Sequence, residues 1–111
     1  MTEQFTVDPN TTFGSFLEIA NGTALVPCKT PLSTKVVGVA STQVNSVVEI
    51  ETSGLQWGRV VGKVSAGDLL VSSSIAGVAQ SSSNPDPNTV VAVAVSDYNA
   101  DRIGTILVFL K

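Results

Sequence analysis

Serine is the residue type in this chain with the clearest potential for covalent chemistry, because it occurs in two triplets, residues 72–74 and 81–83. A serine hydroxyl needs a base to become a nucleophile, and the chain has no histidine. Lysine is left as the base, so the two triplets raise the hypothesis of a Ser–Lys hydrolase or autoprotease, which would lose function on replacement of one serine or lysine, such as Ser74 or Lys63. Serine triplets beside strands are also common turn sequences. We therefore expect no enzyme and no catalytic residue, and keep the Ser–Lys hydrolase as an alternative function.

Aspartates and the single cysteine are the remaining candidates for a reactive or metal-binding site. Asp86, Asp97 and Asp101 lie in polar segments and could supply oxygen ligands to calcium. Their spacing matches no established calcium loop, and aspartate is a standard turn residue, so we expect turns, with no metal and no cofactor. Cys28 ends the apolar run ALVPC and cannot form an intrachain disulfide. We expect a buried structural thiol, the alternative being a reactive one.

The composition favours a β-rich protein that packs against other chains. The 111 residues suffice for one domain with a modest core, and we place this domain at residues 13–111. Charged residues make up 14% of the chain, against roughly 25% in ordinary soluble domains. Mean hydropathy is +0.34. The longest apolar run, residues 90–95, is far shorter than the roughly 20 residues that span a bilayer. The hydrophobicity therefore indicates a shared protein interior and no membrane partner.

Charge and the N-terminal sequence exclude two further classes. The net charge is −3 with only six Lys and Arg residues, whereas nucleic-acid binding requires clustered cations. We expect no nucleic-acid partner. The N-terminus MTEQFTVDPN lacks the basic start and apolar stretch of a secretory signal peptide, so we expect the protein to act where it is made.

The spacing of apolar and turn residues predicts an all-β fold, a small barrel or sandwich. Glycine or proline interrupts runs rich in Val, Thr and Ser every eight to twelve residues, on the order typical of such folds. The runs TVVAVAV and TILVFL have no polar face, which predicts burial on both sides, inside the fold or against a neighbour. The predicted strands are residues 15–19, 23–27, 36–40, 47–51, 56–61, 68–71, 77–80, 90–95 and 105–110.

The chain also carries an internal echo that suggests a duplicated β-unit. GSFLEIANGTALVPCK aligns with GDLLVSSSIAGVAQSS, each followed by a loop, then by KVVGVAS or TVVAVAVS, and then by SVVEIE or GTILVFL. The copies stay about 53 to 55 residues apart throughout, which predicts pseudo-repeats over residues 14–51 and 67–110. The alternative is that a low-complexity β chain shows such echoes by composition.

Three apolar residues are candidates for binding a partner. Phe5 and Val7 stand among polar residues in TEQFTVDPNTT, which predicts an extended N-terminal arm over residues 1–12 that lies on a neighbouring surface. Trp57, the only tryptophan, is either an interface anchor or part of the core.

The segment WGRVVGKVSAGDLLVSSSIAGVAQ resembles the β-domain near the ends of many bacteriophage tail-fibre and tail-spike proteins. In that family a strand of the type GRV-x-V-KV precedes a Gly-Asp-Leu-Leu strand and a Ser-rich turn with an Ala-Gly step. The elements Trp57 to Val60, Gly67 to Leu70 and Ala76 to Ala79 carry the match. A free domain of this size, without a fibre shaft or chaperone module, also resembles phage capsid decoration, or cement, proteins.

The resemblance implies a virion structural protein. The first hypothesis is a homotrimeric cement protein that binds the major capsid protein or another virion protein and stabilises the head. The alternative is a tail-fibre or baseplate component, with possible receptor contact. Both imply localisation in the virion, at the capsid surface or tail, after synthesis in the host cytoplasm without a signal peptide.

Overall fold

Strands dominate the backbone, which confirms the all-β prediction. The computed structural model describes residues 6–7, 11–21, 24–44 and 47–110, where it contains ten strands and one 3-10 turn, Pro87–Thr89. No helix in these ranges is long and apolar enough to cross a membrane. The strands are β1 Thr6–Val7, β2 Phe16–Asn21, β3 Ala24–Pro27, β4 Val36–Val44, β5 Val47–Glu51, β6 Gly54–Val64, β7 Leu69–Ser72, β8 Ala79–Ser82, β9 Val90–Ala94 and β10 Tyr98–Leu110.

The strands form an open sheet and a closed barrel, so the barrel alternative of the prediction is the observed one. The open sheet has the order β1-β3-β2-β4-β5, and the barrel has the order β10-β6-β8-β7-β9. The barrel closes where β6 pairs in parallel with β8 and antiparallel with β10. Closure removes the free edges that an open sheet of this size leaves.

The two halves of the chain use the same pairing pattern. The first half runs β3-β2-β4-β5 and the second runs β8-β7-β9-β10, with antiparallel neighbours in both. The first strand of each half pairs in parallel with the third, β1 with β3 and β6 with β8. This is the pairing that a duplicated unit requires, while the duplication itself stays a prediction.

The main core lies inside the barrel and continues onto one face of the open sheet. It consists of Phe16, Val39, Val60, Val64, Leu70, Ala79, Ala92, Ala94, Ile106, Val108 and Leu110. A smaller cluster of Leu17, Leu25 and Ala40 lies on the other face of the open sheet. Adjacent residues such as Phe16 and Leu17 thus serve different cores, as the alternation of side chains along a strand requires.

A backbone seam joins the open sheet to the barrel. The Phe16 N–H donates to the Gly77 carbonyl over 2.9 Å, and the Gly77 N–H donates to the Cys28 carbonyl over 2.8 Å. On the other side, the Arg59 N–H donates to the Gly14 carbonyl over 3.0 Å. Because the Gly77 turn lies between β7 and β8, the barrel and the first half of the chain share hydrogen bonds as well as core contacts.

The nine predicted strands are all present, with differences in length. β6 and β10 pair over ten residue positions, interrupted by a register shift between Ala100 and Gly104. β10 therefore begins at Tyr98, seven residues before the predicted start, because its polar first part is held by pairing with β6. The short β1 was not predicted as a strand, and it pairs with β3 of the same chain. The rest of residues 1–10 in the predicted arm lies outside the described residues.

Replacing Gly77 with alanine should destabilise the fold strongly. Gly77 has a φ of +76°, and a Cβ there would lie 2.7 Å from Cβ of Ser15. Gly67→Ala is the matched control, because Gly67 has a φ of +93° and open space around its missing Cβ. We expect Gly67→Ala to cost about 1–2 kcal/mol from backbone strain alone, and Gly77→Ala to cost about 1–3 kcal/mol more from steric overlap. Urea unfolding measures both, and equal losses would contradict the seam.

Candidate interaction surface

Large apolar side chains on the outside of the barrel are uncovered. Along β6, the inward-facing Gly58 and Val60 are buried, whereas Leu55 and Trp57 are 56% and 51% exposed. Along β10, Val108 is fully buried and Phe109 is 51% exposed. The strand alternation that fills the barrel thus places a second apolar set on its outer surface.

Strand register brings these side chains into adjacent rows. Leu55 lies opposite Phe109, Phe109 opposite Val93, and Val93 opposite Leu69. Trp57 lies opposite Leu107 in the next row. Directly opposed residues in antiparallel strands are about 4.5–5.5 Å apart at Cβ, so the two rows form a continuous surface. We call this surface the apolar barrel face: Leu55, Trp57, Leu69, Val93, Leu107 and Phe109.

The apolar barrel face explains the unbroken apolar runs of the sequence. The first run contains β9 and the second lies within β10, and their inward side chains Ala92, Ala94 and Val108 are buried. Their outward side chains Val93 and Leu107 are only partly covered, and Phe109 is half exposed. The fold therefore buries one side of these strands and leaves the other at the surface of the single chain.

The structure describes the three predicted partner-binding residues to different extents. Trp57 lies on the apolar barrel face with half of its surface exposed, so the core alternative for this residue is wrong. Val7 lies in β1, where only its backbone is described. Phe5 lies outside the described residues. The partner-binding role of all three stays a prediction.

The apolar barrel face carries no charged side chain. The two cations of β6, Arg59 and Lys63, follow Trp57 along the same strand, with Arg59 partly buried and Lys63 exposed. Arg59 is next in the outward series after Leu55 and Trp57, so it lies at the border of the face. This arrangement, an uncharged centre with polar groups at the border, is typical of protein interfaces.

The first serine triplet connects the barrel to the loop after β3. The buried Ser72 hydroxyl donates to the Thr30 carbonyl over 2.7 Å and accepts from the Ser33 N–H over 2.8 Å. The Ser73 hydroxyl donates to the Val78 carbonyl over 2.6 Å. Ser74 is exposed. These are hydrogen bonds of turns and loops, and two of the three hydroxyls are held by backbone carbonyls.

Cys28 is fully buried beside Glu18, which confirms the predicted buried thiol. Its Sγ donates to Oε2 of Glu18 over 3.4 Å, and the Ser33 hydroxyl donates to the same oxygen over 3.0 Å. Burial raises the pKa of the Cys28 thiol, so the neutral form is favoured. Glu18 also lines an open depression of about 420 Å³ between β2 and the loop after β3. Its carboxylate is already engaged by two donors there.

The aspartate of the Gly-Asp-Leu-Leu segment organises a turn. The Ser65 N–H donates to Oδ2 of Asp68 over 2.9 Å, and the Ser81 hydroxyl donates to the same oxygen over 2.8 Å. The Ser65 N–H, and then the Ser81 hydroxyl, lower the pKa of Asp68 because they stabilise its charged form. Asp68 thus connects the turn before β7 to β8.

Two of the three aspartates considered as calcium ligands accept hydrogen bonds from backbone N–H groups, Asp86 within its own turn and Asp97 from a distant turn. Oδ1 of Asp86 accepts from the Asn88 N–H over 2.9 Å, and Oδ1 of Asp97 accepts from the Ala66 N–H over 2.7 Å. Asp101 is exposed in β10. Within the described ranges, no group of three or more His, Cys, Asp or Glu residues could hold a metal ion.

The fold has a known counterpart. No protein-family model matches this chain, and no curated protein matches its sequence. A solved structure with the same fold is the head fibre gp8.5 N base of bacteriophage phi29. It matches with a TM-score of 0.66 and 16% sequence identity over 96% of this chain and 90% of that chain. The likeness establishes the shared fold, and the specific tail-fibre β-domain with Gly-Asp-Leu-Leu is not confirmed.

Removing the Ser72 hydroxyl should destabilise the protein. Ser72→Ala leaves the buried Ser33 N–H without its acceptor, and an unsatisfied buried donor costs about 1–3 kcal/mol. Ser74→Ala is the control from the same triplet, and at this exposed position we expect a change within about 0.5 kcal/mol. Chemical denaturation of both variants checks this difference, and a Ser72→Ala protein as stable as the wild type would contradict the structural role.

Acidification should remove the contribution of Asp68. Because the pKa of Asp68 is lowered in the fold, its contribution is present above the ordinary value of 3.8 and is lost as the pH falls toward the lower folded pKa. We expect Asp68→Asn to show a weaker loss of thermal stability than the wild type in this acidic range. Asp101→Asn makes the same charge change at an exposed position and is the control. The same dependence of melting temperature on pH in the wild type and in Asp68→Asn would contradict this role of Asp68.

Proposed function

We propose that this protein is a structural component of a bacteriophage virion. The observation that carries the proposal is the shared fold with the phi29 head fibre N base, which extends over nearly the whole of both chains. The sequence resemblance of residues 57–80 to phage β-domains supports the same class independently of the fold comparison. A structural role is also consistent with serine hydroxyls that are used in turns rather than directed at a ligand.

Within the virion, we propose a capsid decoration role. The phi29 protein with the shared fold is a head fibre base. This favours the cement-protein hypothesis, which places the chain on the head, over the tail-fibre hypothesis. The protein would bind the major capsid protein as a homotrimer and add contacts across the junctions between capsomers. The low charge and small side chains suit this task, because ordering them at an interface costs little side-chain entropy. Within the predicted arm over residues 1–12, Thr6 and Val7 pair with β3 of the same chain, so the residues before β1, with Phe5, would extend the contact onto the shell.

Sedimentation with phage heads that lack the protein tests the proposal. We expect the purified protein to co-sediment with these heads at a saturating, fixed stoichiometry and to raise the temperature at which they release their DNA. Added contacts between capsomers must be broken before the shell opens, which is the physical reason for the rise. A variant without residues 1–5, which precede β1, should bind more weakly while keeping the melting temperature of the isolated domain.

Three results would contradict parts of the proposal. Absence of binding to heads, combined with localisation to the tail and inhibition of adsorption by the free protein, would assign it to the tail. Unchanged binding of the shortened variant would remove the arm from the interface. Loss of function in infection after Ser74→Ala or Lys63→Ala, with assembly intact, would instead support the Ser–Lys hydrolase.

A further inference from the structure

We infer that the apolar barrel face is the surface through which copies of this chain associate. The role of this oligomer in the virion rests on the proposed function. The association of copies through this face rests on the exposure, area and charge of the face itself. The occupant is a second copy of the chain, placed so that barrel meets barrel. In the proposed trimer, the three barrel faces would point toward the threefold axis.

The area of the face suits a stable contact between copies. Trp57 and Phe109 are each 51% exposed, and aromatic side chains of roughly 150–250 Å² then leave on the order of 200 Å² uncovered between them. The four aliphatic members raise the total to roughly 400 Å², the size of the largest apolar patch on a typical monomer, which is often functional. A standard interface covers about 800 Å² per partner, of which roughly 500 Å² is apolar in homo-oligomers. The face therefore supplies most of the apolar part of one such contact.

The distribution of charge favours another copy as the occupant. Each chain carries a net charge of −3, so two copies repel each other when acidic surfaces meet. The apolar barrel face has no charged side chain, and the partly buried Arg59 lies at its border. Copies that meet through this face keep acidic side chains out of the contact and bury the two aromatic rings of each chain. Homo-oligomer interfaces have this apolar character, whereas transient contacts with other proteins resemble the average surface.

The alternating burial of the barrel strands supports the same conclusion. β9 and the end of β10 are apolar on both sides, a pattern typical of strands that are covered twice. The barrel core covers the inner side, and the open sheet does not cover the outer side, since Leu55, Trp57 and Phe109 remain half exposed with the whole described chain in place. Another copy of the barrel would provide the second cover.

The mass of the protein in solution tests the inference, using light scattering without capsids. We expect the wild type to have the mass of three chains, and Leu55→Lys and Phe109→Lys to have the mass of one. Leu32→Lys is the matched control, because Leu32 is 54% exposed, close to the 56% of Leu55. Leu32 lies outside the apolar barrel face, in the loop after β3, where its N–H donates to the carbonyl of Ser72 at the end of β7. It makes the same charge change and should leave the oligomer intact. A monomeric wild type, or variants that remain oligomeric, would overturn the inference.

Trp57 fluorescence gives a second readout that needs no variant. As the only tryptophan of the chain, it reports on the apolar barrel face alone. We expect blue-shifted emission and protection from acrylamide in the oligomer, and a red shift with increased quenching on dilution below the dissociation point. An oligomer in which Trp57 stays as accessible as a half-exposed side chain would place the contact elsewhere and overturn the inference, even where lysine variants fail to fold.

Separate outcomes distinguish this inference from the proposed function. An oligomer that depends on the apolar barrel face but ignores phage heads contradicts the capsid role and leaves the inference standing. A monomer in solution that binds heads through Leu55 and Phe109 supports the virion role and overturns the inference, because the face would then contact the shell protein.

Discussion

The hydrogen-bonded seam at Gly77 is the constraint on which the arrangement of the two halves depends. The Gly77 carbonyl accepts from Phe16, and its N–H donates to Cys28, so one turn of the barrel holds two points of the open sheet. Phe16 then packs in the barrel core, 2.9 Å from the position of a Cβ on Gly58. Glycine is required at Gly58 and Gly77, because a Cβ there would overlap the Phe16 ring or Ser15 and separate the halves.

From this seam follows the division between inner and outer surfaces. The open sheet covers one part of the core and contributes Phe16 and Val39 to it, while the apolar barrel face remains outside this contact. The interior of this five-stranded barrel is filled by small side chains such as Ala79 and Ala92 together with larger ones such as Leu70 and Val108. The outward side chains of these strands, Leu69, Val93, Leu107 and Phe109, lie outside this core and form an apolar surface of the single chain.

The shared pairing order of the halves gives the sequence echo a structural meaning. Each half pairs its second strand with its third and fourth, and its fourth with its fifth. The first strand of the second half, β6, has eleven residues. β6 is long enough to reach both β8 and β10 and close a barrel, whereas the half that begins with β1 forms an open sheet. One pairing order thus occurs in two architectures, an open sheet and a closed barrel.

The sequence by itself determined the all-β class, the nine main strands and the buried thiol of Cys28, because these depend on local alternation, turn residues and hydrophobicity. It also marked residues 89–95 and 105–110 as apolar on both sides. Only the tertiary structure decided which strand closes the barrel, since β6 and β8 pair through contacts between distant residues. The tertiary structure also decided that Trp57 is exposed. The period-two alternation of the strand shows which residues share a side with Trp57, but not whether that side faces the core or the solvent. Register across β6, β10, β9 and β7 assembled Leu55, Phe109, Val93 and Leu69 into one surface, and register is set by the closure of the barrel rather than by any local segment.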